Sequence, residues 1–399
     1  MTLKTYEETL AIIAEVCQLF EKETVKLEHA NGRILAEHVY ADRDYPPFNR
    51  AAMDGYAIMS SDWEKGIRSY LIVDTIFTGK SAKQALTTGS CYKIMTGAAT
   101  PEIADIIIKR EDATASENMV RLNADHKKIH QNIALQGEDC KAGTLLLRSP
   151  LKCTPQIIAV LATVGKATIQ VFKLPSTALV TTGDEIVDPS ININPLQIRN
   201  SNQYLLSSLL EQWKIQPVLC THVSDDKAKL TTALRQALKA ELLIVNGAVS
   251  AGDADHVPAA LRALGVDILV HKVSIRPGKP ILIGKTATGT IVFALPGNPL
   301  SCLSTFTIFV EHYLFLSCGF KNKPFQTIPL LASRTKKHAL TEFVPASLDD
   351  SGRLQLLTNN GSGDVTACMH ATGLAMLPAN TTGIQKNEPI TFYPFNHCL

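Results

Sequence analysis

Residues 242–245 form a short, unbroken apolar run, bounded by Glu241 on one side and Asn246-Gly247 on the other. That pattern predicts a strand buried on both faces. Further apolar runs at 178–181, 217–223, 268–273 and 291–295 alternate with segments of helical period. Leu205, Leu206, Leu209 and Leu210 share one face of a helix over 200–213, Ser224-Asp-Asp226 opens a second helix reaching about residue 240, and 257–264 reads as a short third. From 177 to about 319 the alternation predicts a mostly parallel sheet with helices on both faces.

The flanks follow other rules. Thr5 and Glu8 have capping-box spacing, and Leu10, Ile13, Val16 and Phe20 follow at helical intervals, predicting an opening helix of about four turns. Strands and a turn at Asn31-Gly32 come next. Residues 45–140 are β-rich with short connections and predict a small inserted β module. A helix over 154–163, with Pro155 at its first position, is expected to pack against the opening helix. After 324 the pattern turns strand-like at 328–331, 353–357, 374–377 and 390–393, around a Gly361-Ser-Gly-Asp364 turn cluster. The most apolar stretch, 299–320, carries Glu311 and His312 in its middle, where lipid would make a charge costly, so it predicts a buried helix.

Composition narrows the class. With 399 residues, 45% apolar and 19% charged, the chain is expected to fold as two to four globular domains. A net charge of +2 without a basic block gives no reason to expect nucleic acid, and the acidic N-terminus is not a secretory signal. Nine scattered cysteines without a C-x-x-C pair suit reduced thiols in a cytoplasm.

Three predicted strands end in loops of related character: Thr181-Thr-Gly-Asp-Glu185, residues 246–255, and Pro296-Gly-Asn-Pro-Leu-Ser301. In an open α/β sheet such loops line one crevice. Glu185, Asp225 or Asp226, Asp253 and Asp255 would bring carboxylates there; Arg276 and Lys279 would bring fixed positive charge. Carboxylates with phosphate oxygens suit Mg²⁺, and cations suit the phosphates themselves. Gly247 and Gly252 allow close backbone approach, and Ser250 offers a hydroxyl. Neither a Rossmann fingerprint nor a P-loop is present.

The ordered set Asn49-Arg-Ala-Ala-Met-Asp-Gly-Tyr-Ala57, Met95-Thr-Gly-Ala98, Gly137-Glu-Asp139, Thr182-Gly-Asp-Glu185, Arg199-Asn-Ser-Asn202, Arg276-Pro-Gly-Lys-Pro280 and Leu295-Pro-Gly-Asn-Pro299 resembles the MoeA family, related to the E domain of gephyrin. The resemblance implies an α/β multidomain fold. Its parts would be an elongated helical and strand domain (1–44 and 141–174, dimerising), an inserted β domain (45–140), a doubly wound MogA-like molybdopterin-binding domain (175–323), and a C-terminal β barrel (324–399). It implies a molybdenumtransferase that uses adenylyl-molybdopterin, molybdate and Mg²⁺ and releases AMP. It also implies a cytoplasmic homodimer with an active site shared between subunits, supplied by a molybdopterin adenylyltransferase, with no nucleic acid or membrane partner. Carried over by position, Asp255, Lys279, Arg276 and Asp54 would be catalytic. Thr96, Gly247, Ser250, Gly252, Pro296, Gly297, Asn298 and Ser301 would bind the pterin nucleotide, and Glu185, Asp225, Asp226 and Asp139 would serve the metal. The chain departs from the family at Ala248, in a loop that often carries glycine there, at Ala51, and in Leu340-Thr-Glu-Phe-Val-Pro345, which lacks the arginines many members carry around that phenylalanine. Two other readings stand beside it: a gephyrin-like scaffold of this architecture without catalysis, and a MogA-type binding or adenylylating protein, which uses the α/β domain alone and lacks the long flanking domains.

Overall fold

A computed structural model describes residues 3–124, 128–249 and 256–395. The chain divides into two compact units, one of Met1–Glu37, Ser149–Ile158 and Thr168–Leu399, the other of His38–Arg148 and Ala159–Ala167.

The smaller unit is built on a six-stranded sheet in the order Ile106–Lys109, Gly55–Ile58, Ser90–Ile94, Ser69–Ile76, Met119–Leu122, Ala113–Ala115. All its ladders are antiparallel except that between Ser69–Ile76 and Ser90–Ile94. Alternate residues enter two separate clusters: Ala57, Ile76, Ile94 and Ile107 in one, Tyr56, Ile58, Tyr70 and Ile108 in the other. Period-two patterning thus buries both faces.

In the larger unit the central sheet runs Leu219–Val223, Thr177–Thr182, Leu242–Asn246, Ile291–Leu295, Leu282–Thr286, Val266–His271. The first four strands are mutually parallel and the last two join antiparallel. Leu242 and Ile244 pack on one face with Leu206 and Leu210 of helix Ser201–Gln212 and with Phe306. Leu243 and Val245 pack on the other with Leu230 and Leu234 of helix Lys227–Ala237 and with Leu261. The sheet is doubly wound, as the alternation of runs and helices predicts. Strand Leu282–Thr286 was not anticipated, because Gly284 and Lys285 interrupt its apolar pattern. Packing explains the glycine: a Cβ at Gly284 would lie 2.6 Å from Val266 Cγ1 and 2.9 Å from Asp267 O.

The opening helix, Tyr6–Val16, carries the predicted capping box but stops a turn early, at Cys17 in extended conformation. Phe20 belongs to the core rather than to the helix, its ring edge-on to Tyr313 at 6.0 Å. The helix does not bury its apolar face as expected on the 154–163 segment. Tyr6 and Ile13 join the core cluster of Phe309, Tyr313 and Leu314, which offers a larger apolar surface. A four-stranded sheet of Lys22–Lys26, Thr168–Phe172, Ile34–Leu35 and Leu151–Lys152 completes this end of the unit.

The predicted apolar helix spans Pro299–Ser317 and is 94% buried inside the fold. Phe306–Val310 within it is π-helical. Glu311 and His312 are buried as that reading required. Glu311 is paired with the equally buried Lys323, and burial, with a smaller contribution from Lys323, holds the His312 imidazole down to about 4, so it is neutral. The C-terminal strands Gln326–Pro329, Pro389–Pro394, Gly373–Leu377, Thr341–Leu348 and Leu354–Leu356 pair in that order, and a bridge from Leu330 to Leu354 closes the circuit into a barrel. Ile328, Val344, Leu354, Ala375 and Phe392 fill its interior.

Candidate active site

The parallel strands of the central sheet deliver their carboxyl ends to one crevice, a cavity of about 700 Å³. Its floor is an amide network. Asn202, in the first turn of its helix, donates from Nδ2 to Asn246 Oδ1 at 2.9 Å and to Gly297 O at 2.6 Å. Asn246, the last residue of its strand, donates to Pro296 O at 2.9 Å. Two loops are thereby fastened to one strand end. Two buried oxygens on the wall, Thr182 Oγ1 and Asn202 Oδ1, have no partner among the described residues. A buried polar atom left without a partner costs roughly 1–3 kcal/mol, which a water reaching it would relieve.

Gly247 is required where it stands: its φ is +102°, and a Cβ there would meet Thr182 Oγ1 at 2.7 Å and Thr182 O at 2.8 Å. Ala248 is also left-handed, at φ 49°. A backbone conformation that favours glycine is thus occupied by alanine. Removing this Cβ should relieve strain that exceeds the extra chain entropy of glycine, so Ala248→Gly is expected to stabilise the protein by about 0.5–1 kcal/mol. Denaturant titration checks this; a loss of stability would contradict it.

The acids at the crevice are cross-tied. Asp225 N donates to Asp184 Oδ1 at 3.0 Å, and Asp184 N to Asp225 Oδ2 at 3.4 Å. His222 braces the same loop. Its Nε2 lies 3.1 Å from Gly183 O, which can only accept, so Nε2 carries the proton; Nδ1, 3.0 Å from Thr181 Oγ1, then accepts in the neutral ring. Glu185 and Asp225 line the cavity. Asp226 does not: it is the N-cap of helix Lys227–Ala237, accepting from Lys229 N at 2.8 Å. Of the two aspartates, Asp225 lines the cavity, whereas Asp226 stands outside it as a helix cap. Among the described residues no three acids, histidines or cysteines cluster as a metal cage. Glu185 and Asp225 are hard oxygen donors, which fits an Mg²⁺ held by one or two carboxylates plus ligand phosphates and water.

A second cavity of about 660 Å³ is basic. The Arg276-Pro-Gly-Lys-Pro280 turn forms one wall, locked by Val273 N to Lys279 O at 2.8 Å and by parallel pairing of Ile275–Arg276 with Thr341 and Glu342 of the barrel. Pro296, Ser301, Arg334, Leu340, Glu342 and Ser362 also line it. Asn298 lines both cavities and donates to Ser362 Oγ at 2.7 Å, so the Gly361-Ser-Gly-Asp364 cluster forms part of the partition between them.

In the smaller unit, Asp54 Oδ1 accepts from Thr96 N at 2.8 Å and Thr96 Oγ1 at 2.7 Å. These bonds hold its carboxyl below the usual range, with Arg110 helping. A small pocket beside it is lined by Tyr56, Lys93, Met95 and Arg110. Asp139 is exposed on a turn, its N–H bonded to Tyr45 O at 3.0 Å.

Of the sequence candidates, Glu185, Asp225, Gly247, Gly297 and Asn298 meet in the first cavity, and Arg276, Lys279, Pro296, Asn298 and Ser301 in the second. Asp54 and Thr96 meet in the smaller unit. Ser250, Gly252, Asp253 and Asp255 lie outside the described residues. Sequence reasoning missed Thr182, Asn202 and Arg334 as wall residues. Asn202 stood in a noted motif, whereas Arg334 carried no signal.

Three family models cover the chain: the MoeA N-terminal region (domain I and II) over residues 4–165, a probable molybdopterin binding domain over 178–315, and the MoeA C-terminal region (domain IV) over 327–395. A molybdopterin molybdenumtransferase of Synechocystis sp. is 30% identical over 385 residues, spanning 94% of this chain and 95% of that protein. One from Staphylococcus epidermidis is 32% identical over 374 residues, spanning 91% and 89%. The crystal structure of the molybdopterin biosynthesis MoeA protein from Pyrococcus horikoshii OT3 superposes with a TM-score of 0.81 at 26% identity, covering 98% of this chain and all of the other. With the order of motifs, the doubly wound domain and the barrel all accounted for, the chain belongs to the MoeA family.

Proposed function

We propose that this protein is a molybdopterin molybdenumtransferase, converting adenylyl-molybdopterin and molybdate into molybdenum cofactor with release of AMP. The observation that carries this reading is the pair of adjoining cavities with opposite chemistry. One is lined by Glu185 and Asp225 with Arg199, a net negative wall, the other by three cations against Glu342, a net positive one, and Asn298 stands on both walls. A nucleotide diphosphate with a metal suits the first, and a tetrahedral oxyanion suits the second.

The chain's own residues have separable tasks in this scheme. Glu185 and Asp225 would hold Mg²⁺, which supplies charge neutralisation on the phosphoanhydride as it breaks. Asn202 holds the Asn246 and Gly297 loops in place around the ligand through its amide. Gly247 presents bare backbone on the cavity wall to the ligand. Arg276 and Lys279 hold molybdate by charge and hydrogen bonds. Asp255 activates or positions the attacking oxygen at phosphorus.

The reading also assigns four domains, at 1–44 with 141–174, 45–140, 175–323 and 324–399, and a cytoplasmic homodimer in which Asp54, Thr96 and Asp139 of one subunit complete the site of the other. The preset Asp54–Thr96 pair supports a catalytic rather than a packing task. A molybdopterin adenylyltransferase is the upstream partner, because its product is this substrate.

The test is Asp255→Ala. The variant is expected to keep its fold and oligomeric state and to lose AMP release by at least a hundredfold. Wild-type turnover by this variant would remove Asp255 from the mechanism. Absence of turnover in both forms, with tight pterin binding, would make the protein a scaffold.

A further inference from the structure

Arg334 sits in a two-residue strand, Arg334–Thr335, paired with Gly383–Ile384, far in sequence from every motif that marks the site. Its side chain nevertheless reaches the basic cavity. There its Nη2 meets Glu342 Oε1 at 2.8 Å, and Glu342 Oε2 lies 3.8 Å from His338 Nε2. Both partners of the pair are largely buried, with 29% and 12% of the side chains exposed. Glu342 is itself fixed opposite Arg276 by the strand register.

We propose that Arg334 is an oxyanion-binding residue, held in place by Glu342 and supplying the third cation of the basic cavity. The inference rests on the assignment of that cavity to molybdate. Three observations carry it. A guanidinium has five N–H donors in a planar fork, so the bond to Glu342 orients the group and leaves donors for a ligand. The charge balance is the second. Arg276, Lys279 and Arg334 against the single carboxylate of Glu342 leave a surplus of two positive charges on the wall, which matches a tetrahedral dianion; without Arg334 the surplus is one. The third is position. Leu340 lines the same wall, in the segment that lacks the family's arginines, and offers no charge; Arg334 brings one to that wall from another strand.

The competing role is structural: the ion pair would only fasten the short ribbon to strand Thr341–Leu348. That role predicts no effect on anion affinity. Equilibrium binding of sodium molybdate to the full-length protein separates the two, with the melting temperature measured alongside. Arg334→Gln is expected to weaken molybdate binding at least tenfold, with some fall in melting temperature because Glu342 loses its partner. Adding Leu340→Arg to that variant is expected to recover most of the loss, by restoring the charge on the same wall. Arg334→Lys, which keeps the charge but not the fork, is expected to weaken binding several-fold and serves if the glutamine variant is unstable. Wild-type affinity in both Arg334 variants would overturn the proposal while leaving the molybdate cavity in place. No molybdate binding by the wild-type protein would overturn both.

Discussion

Glu311→Ala is expected to destabilise the larger unit by about 3–5 kcal/mol, the cost of leaving a buried charge without its partner. Glu311 and Lys323 are 1% and 3% exposed, and Lys323 Nζ is bonded to Glu311 Oε2. Trp213 Nε1 lies 3.4 Å from Glu311 Oε1, and the ammonium stands over the rings of Phe315 and Tyr393 at 5.7 and 6.0 Å. Burial already pulls the Lys323 ammonium below its ordinary range, with Glu311 opposing that shift. Removing the carboxylate leaves burial acting alone. The pair joins the long central helix to the segment leading into the barrel, and Tyr393 reaches the opening helix through a 2.9 Å bond to Tyr6. The loss should therefore reach beyond the helix. Urea denaturation followed by Trp213 fluorescence in a Trp63→Phe background measures it. The double exchange Glu311→Leu with Lys323→Met removes both charges and is expected to recover most of the stability. A single variant as stable as wild type would show that the ammonium finds another partner.

Lys279→Ala is expected to cost turnover about 10²–10³ in rate, or roughly 3–4 kcal/mol of transition-state stabilisation. Lys279 is exposed, so its removal should not cost stability, and its turn is held by backbone bonds rather than by the ammonium. The wall would keep only one surplus positive charge for the incoming dianion. The loss should appear largely in the KM for molybdate if Lys279 binds the ground state, and in kcat if it acts on charge that develops later. Lys272 is a near neighbour that lines neither cavity, and Lys272→Ala is the control, expected to turn over like the wild type. Equal losses in both variants would mean that general surface charge, not the cavity, matters.

The parts of this molecule that could be read from sequence were those whose pattern is local. The run at 242–245 is apolar without a break because successive residues serve two different cores, and it was legible for that reason. Asp226 could be read as a cap but not separated from Asp225, since only the fold shows which carboxylate the backbone uses. Strand Leu282–Thr286 was hidden because close approach of Val266 demands a glycine in its centre. Phe20 kept helical spacing after the helix had ended, because the core asks for an apolar group there whatever the backbone does. Ala248 read as a departure, yet its backbone retains a left-handed turn. Arg334 was illegible: its relation to Glu342 and Arg276 depends on a ladder between the central domain's turn and the barrel.

The measurement that tests the account most directly is AMP release from adenylyl-molybdopterin by the purified protein, with molybdate and Mg²⁺ each supplied or withheld. Two adjoining cavities, one for the metal-bound nucleotide and one for the oxyanion, predict release that requires both. Release with Mg²⁺ alone at the full rate would contradict the account, because the basic cavity would then have no part in the reaction.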